Sequence, residues 1–392
     1  MMATSDIAVG EVIVSVPKTF LISNESLMKR YGRHPLSTHQ LLALHLVLLS
    51  REPNSWWKSY VDLLPTHFDT MPVKYPSVLA DHLPASLIDE KTQQCNKIRA
   101  DYAAAVQFLT NKVSGNVTPV SYDEYEWAWL CGSCKQKKKR FIKLLQIVNT
   151  RCIHMTTTDA TAKGGNIAMA PMLDFLNHTC EARIESGFNV RNQCFEIRTL
   201  IAYEEGEQVF INYGPHDNLA ILKEYGFVLA DNMYNFVLLD NEMWTLFDEV
   251  ETRHGVRIKK DILEKAGYAG DYSIKKDEMS FRLVCALRLL ALEGPENPGF
   301  ERRVLDWHDM VMGETERISE YNERRMLIML QTICKRVMQS ATDEIKTLTV
   351  FSQQETIQWH PFALKFLRQI WDETIEITES ILLDIDVKLQ DL

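Results

Sequence analysis

The 392-residue sequence contains no run of eighteen or more apolar residues, which argues against a membrane-spanning helix. Its start, "MMATSDIAVGEVIVSVP", has no basic stretch followed by an apolar one, so no secretory signal is legible there. The eight cysteines form no paired framework. That suits a reducing compartment, and the expected location is the cytoplasm, the nucleus or both. Positive charge is in deficit, with 43 Lys and Arg against 53 Asp and Glu and a net charge of -10. This argues against nucleic-acid binding and makes a basic protein segment the better partner. Cys131 and Cys134 form a lone CxxC with no second Cys/His pair at zinc-site spacing, so no metal is expected. Internal repeats are absent too. What remains is ordinary for a globular chain, with 46% hydrophobic and 24% charged residues and a mean hydropathy of -0.18. The length allows two or three domains.

Residues 11–23, "EVIVSVPKTFLIS", alternate apolar and polar and predict two short strands broken near Pro17. The period then turns helical. Residues 34–52 carry Leu41, Leu42, Leu44, Leu46, Leu48 and Leu49 and predict a buried helix. Further helices are expected over 83–109 and 121–130, the second opening on Ser121 with Glu124 three residues on, a capping-box pattern. Strand character returns after Ile167. Residues 187–214 predict a hairpin turning at 191–193, a turn at 205–206 and a strand over 208–213. From Glu251 to Leu392 the periodicity is helical, with a stop at Gly294–Pro295 and long helices near 300–349 and 360–383. The order predicts an α+β fold followed by a helical domain. A basic stretch, 132–147, "GSCKQKKKRFIKLLQI", interrupts this plan as a solvated loop or a weak nuclear-targeting signal.

Three short clusters carry the polar chemistry. "PMLDFLNHTC" places Asp174, Asn177 and His178 among Met172, Leu173, Phe175 and Leu176, which are expected to anchor the segment. "INYGPHDN" holds Asn212, Tyr213 and Gly214, and "EYGFV" holds Tyr225, Gly226 and Phe227. Taken singly, each is compatible with a turn whose buried polar groups find local partners.

Taken in this order, "APMLDFLNH", "GEQVFINYGPHDN" and "LKEYGFV" resemble the C-terminal half of a SET domain. The branch is the one that includes the plant Rubisco large-subunit lysine methyltransferase. The resemblance implies a β-rich SET fold split by a helical insertion, then an all-α substrate-binding domain. In that scheme residues 1–50 and 161–230 form the two SET parts. Residues 51–160 form the insertion, with 132–147 atypical within it, and 240–392 the substrate-binding domain.

The implied activity is transfer of a methyl group from S-adenosylmethionine to a lysine of a protein substrate, a histone tail or a cytosolic protein, by a monomer and without a metal. Tyr213 matches the catalytic tyrosine. Arg151, in "VNTR", matches an arginine beside the cofactor carboxylate; Asp174, Asn177, His178 and Tyr213 match the cofactor cradle. Tyr225, Gly226 and Phe227 match the segment over the adenine and the lysine channel. In the family a Gly-x-Gly stretch contacting the cofactor precedes the segment matching "MATSDIAVGEVIVSVP", and none stands before it here. Joining "YEWAWLC" to "VNTRCIHM" across 132–147 predicts one continuous helix. Two other readings stay open: a protein-histidine methyltransferase of the same branch, and a SET-derived binding module lacking that glycine stretch.

Overall fold

A computed structural model describes residues 1–112, 119–132, 151–154, 167–353 and 359–392. The chain divides into two compact units, 1–233 with 358–363, and 234–357 with 364–392.

In the first unit β1 (Val12–Pro17) and β2 (Ile22–Ser23) form where alternation predicts them, parted by a single 3-10 turn. Helices α1 (Asn24–Tyr31), α2 (Thr38–Ser50), α3 (Lys58–Val61), α4 (Ser77–Ala80), α5 (Ala85–Lys112) and α6 (Tyr122–Cys131) follow. Helix α2 is apolar over most of its surface and largely buried, its leucines filling a core with α5 and α6. The predicted cap of α6 forms. Ser121 Oγ accepts from the Glu124 amide and the Glu124 side chain returns to the Ser121 amide, the same reciprocal bond that Ser37 and Gln40 make at α2. Arg51 then grips Glu124 with two bonds, at 2.9 and 2.6 Å, tying α2 to α6.

Among the described residues the strands of this unit form three small sheets. β3 (Cys152–His154) and β4 (Ile167–Met169) pair with β2 in the order β2-β4-β3. β5 (Asn177–His178) runs parallel to β8 (Phe210–Ile211). β6 (Ile184–Asn189) and β7 (Cys194–Thr199) make the predicted hairpin, and β1 closes the order β1-β7-β6 with Val14 opposite Ile197. Val14, Val16, Phe195, Ile197 and Ile211 supply a second core. The first residues lie along the approach to β8, through bridges Met2–Gln208 and Ile7–Tyr203. Helix α7 (Asn218–Tyr225) follows β8.

Two expectations need correcting. The strand expected over 208–213 is regular only at Phe210–Ile211; on either side the Val209 amide goes to the Met1 carbonyl and the Tyr213 amide to His178 Nδ1. A continuous helix through "YEWAWLCVNTRCIHM" does not form. α6 ends at Cys131 with Gly132 as its cap, and Cys152–His154 is a strand. The stretch 132–147 lies outside the described residues beyond Gly132.

The second unit is built on α8 (Asp240–Val250), α9 (Arg253–Ala266), α10 (Phe281–Leu290), α11 (Phe300–Val311), α12 (Glu320–Ser352) and α13 (Pro361–Gln390). Its core gathers Phe247, Leu287, Trp307, Leu330 and Ile381. One detail escapes helical periodicity. β9 (Val237–Leu238), β10 (Ser273–Lys275) and β11 (Glu278–Met279) form a sheet in the order β11-β10-β9. Two- and three-residue strands are too short to register as alternation.

Candidate active site

The motif "PMLDFLNHTC" does not anchor as expected. Leu173 and Leu176 are buried, but Met172 is exposed and takes a φ of 75°, rare for a residue with a side chain. That turn throws the chain into a 3-10 segment, Leu173–Phe175, whose Asp174 side chain is fully buried. Asp174 Oδ2 accepts from Arg151 Nη1 at 2.9 Å and from the Tyr60 hydroxyl at 2.8 Å. Its Oδ1 is buried with no partner among the described residues. Arg151 also lies over the Phe175 ring, 5.6 Å from its centroid. Burial raises the Asp174 carboxyl above its ordinary value, while the Arg151 charge and the Tyr60 and Arg151 bonds oppose the rise. Tyr60 is a participant the sequence did not announce; its only signal is a place in the aromatic stretch "WWKSY".

A second constellation grows from the parallel pair of β5 and β8. The register sets Asn177 opposite Phe210 and His178 opposite Ile211. Asn177 is exposed, whereas the His178 ring is buried. Its Nδ1 lies 3.1 Å from the Tyr213 amide, which donates to it, and 3.4 Å from the Ile211 carbonyl, while Nε2 has no partner among the described residues. Burial pushes the His178 ring down to about 4, leaving it neutral near pH 7. Tyr213 stacks on His178 with centroids 4.8 Å apart and meets Tyr225 at 4.8 Å with the rings tilted by 33°, and Tyr225 in turn meets Phe227 at 6.0 Å. The Tyr213 hydroxyl donates to the Leu176 carbonyl at 2.6 Å, and burial pushes it up to about 12. Both the Arg151 and Asp174 charges act on that hydroxyl, so the two constellations share one electrostatic environment.

Gly226 explains why Tyr225 and Phe227 flank a glycine. It closes α7 in the left-handed region at φ 76°, and a Cβ there would stand 2.7 Å from Thr70 Oγ1 and 2.9 Å from Met71 Cγ. Asn218 and Asn232, also unannounced, support this corner. Asn218 Nδ2 donates to the Leu229 carbonyl at 2.7 Å, and Asn232 Nδ2 to Asn218 Oδ1 at 3.2 Å. Among the described residues no group of three His, Cys, Asp or Glu could hold a metal ion.

A split β-fold with a parallel pair, an Asn-His strand and a tyrosine beyond the end of its partner are the features of a SET domain. The chain belongs to the SET-domain family, whose model matches residues 1–214, and the model of the ribosomal lysine N-methyltransferase 2 C-terminal domain matches residues 246–384. Among its relatives is SET domain-containing protein 4 of Mus musculus, 30% identical over 356 residues, covering 86% of this chain and 74% of that protein. Ribosomal lysine N-methyltransferase set11 of Schizosaccharomyces pombe is 26% identical over 330 residues, 82% of this chain and 72% of the relative. Actin-histidine N-methyltransferase of Danio rerio is 26% identical over 276 residues, 65% of this chain and 43% of the relative. The fold matches Rubisco LSMT bound to sinefungin and monomethyllysine with a TM-score of 0.62 at 18% identity, over 100% of this chain and 85% of that one.

Proposed function

We propose that this SET-domain methyltransferase moves the methyl group of S-adenosylmethionine onto a lysine side chain of a protein substrate. The observation that carries the reading is the setting of Tyr213. Its phenol lies between two aromatic rings, beside the Arg151–Asp174 pair, with its only proton committed to the Leu176 carbonyl. The phenolic oxygen therefore meets an incoming amine as an acceptor, orienting the N–H groups and leaving the nitrogen lone pair for attack. A lysine must first lose the proton it holds up to pH ~10.4, and aromatic walls disfavour its charged form.

The residues present fit the cofactor. Arg151 offers a forked cation for a carboxylate. Asp174 Oδ1 and His178 Nε2, both buried and without partners among the described residues, suit polar contacts to a ligand. Asn177 is exposed at the strand end, and Tyr225 and Phe227 offer stacking area. When bound, the cofactor supplies an electrophilic methyl group on a sulfonium.

Lysine is favoured by the names of set11 and of the Rubisco enzyme, and the acidic net charge favours a basic segment, in a histone tail or a cytosolic protein. The relative named for actin-histidine methylation keeps histidine as the second reading. The test is tritiated-methyl transfer to histone and cytosolic protein pools, with the labelled residue mapped in peptides. Label on lysine supports the proposal and label on histidine moves it to the second reading. Absence of both transfer and calorimetric S-adenosylmethionine binding identifies a binding module.

A further inference from the structure

Tyr60 has no part in the reading above. Its buried ring lies between Trp57 and Phe175, with centroids 6.1 Å away on each side. That packing needs only an apolar ring, and phenylalanine would supply it. The hydroxyl does something else. Delivered from a segment 114 residues away in sequence, it lands on the same Asp174 oxygen that accepts from Arg151. A fully buried carboxylate thus carries two donors on one oxygen and none among the described residues on the other. Fixing one oxygen from two directions sets the rotation of the carboxyl plane, and so where the second oxygen stands.

On this geometry, and resting on the methyltransferase reading, we infer that Tyr60 is a positioning residue for the transfer. It acts through Asp174, locking that carboxylate against Arg151 and keeping it ionised, so that the pair meets cofactor and amine in one orientation. The groups facing Asp174 are Tyr60 from α3, Arg151 at the entrance to β3, Cys131 at the end of α6 and Tyr213 beyond β8; Cys152 faces Tyr60. Arg151 is the one cation in this set. Burial raises Tyr60, Cys131 and Tyr213, which therefore stay neutral around pH 7. Burial also lifts the Asp174 carboxyl, and the Tyr60 bond is one of the contacts opposing the lift. Removing the hydroxyl moves that carboxyl further up.

The experiment compares Tyr60→Phe with the unaltered full chain across pH, using the protein pool that accepts methyl groups. The ratio of their kcat/KM values cancels the titration of the substrate amine. It is expected to climb from about a tenfold deficit at the acid end toward parity at the alkaline end, a displacement of about one pH unit. Asp174→Asn, which does not titrate, should abolish this climb, and adding Tyr60→Phe to it should cost nothing more. A ratio flat across pH, or losses that multiply in the double variant, overturns the inference. If the unaltered chain transfers no methyl group, the function reading fails instead. The Asp174 titration is then read directly by carboxyl carbon NMR of the full chain, assigned through Asp174→Asn. A midpoint that rises in Tyr60→Phe supports the coupling, and an unmoved one overturns it.

Discussion

His178 and Tyr213 hold each other twice, ring on ring at 4.8 Å and 15° between planes, and through the Tyr213 amide donated to His178 Nδ1 at 3.1 Å. The imidazole is thereby a backbone acceptor and a stacking surface at once. Replacing His178 with alanine leaves a buried amide unpaired and a cavity behind the Tyr213 ring. The expected loss is about 2–4 kcal/mol of stability, read by urea denaturation.

Tyr213→Phe keeps the ring contacts with His178 and Tyr225 and removes only the hydroxyl on the Leu176 carbonyl. Turnover should fall by roughly tenfold or more, the loss of about one positioned hydrogen bond, while the circular dichroism melt shifts little. A fully active variant would remove Tyr213 from the catalytic role.

Acid sensitivity follows from three buried histidines. Burial depresses His39, His45 and His178 to about 4 each. A histidine whose folded pKa lies below its unfolded value binds its proton more readily when unfolded. Its contribution to stability is therefore complete above about pH 6.5 and is lost as pH falls toward about 4. Asp174, raised by burial, acts in the opposite sense. The chain should lose on the order of 1–3 kcal/mol per histidine across that window, seen as a falling thermal midpoint in buffers of descending pH. A midpoint unchanged between those limits contradicts the neutral burial of these rings.

Gly226→Ala meets both a left-handed φ and side chains closer than 3 Å. It should destabilise by about 1–3 kcal/mol and lower transfer activity by displacing Tyr225 and Phe227. Gly10→Ala shares the positive φ, with open space around it, and separates backbone strain from the clash.

Lys259 in the second unit is fully buried. It pairs with Glu251 at 2.6 Å and donates to the carbonyls of Leu290, the last residue of α10, and Leu292 just past it. Lys259→Met strands a buried carboxylate and should cost about 3–5 kcal/mol by urea denaturation. Adding Glu251→Leu should recover part of that loss, because the uncompensated charge is gone.

The sequence by itself determined the helices with long apolar periods and capping boxes, the Ser121–Glu124 pair among them, because those signals are local in the chain. It also determined the motif order that resembles a SET domain, since Asp174, Asn177, His178, Tyr213 and Tyr225 recur at recognisable spacings. Only the tertiary structure decided which of these side chains touch. Tyr60 reaches Asp174 from 114 residues away, a contact without sequence period. Met172 turns outward on a positive φ that its apolar side chain does not foretell. The short sheet β9-β10-β11 depends on Leu238 finding Ser273 across the second unit, and the β5–β8 pair on His178 finding Ile211. Propensity and periodicity are properties of neighbours in the chain. A buried carboxylate's donors are neighbours in space, and folding alone brings them together.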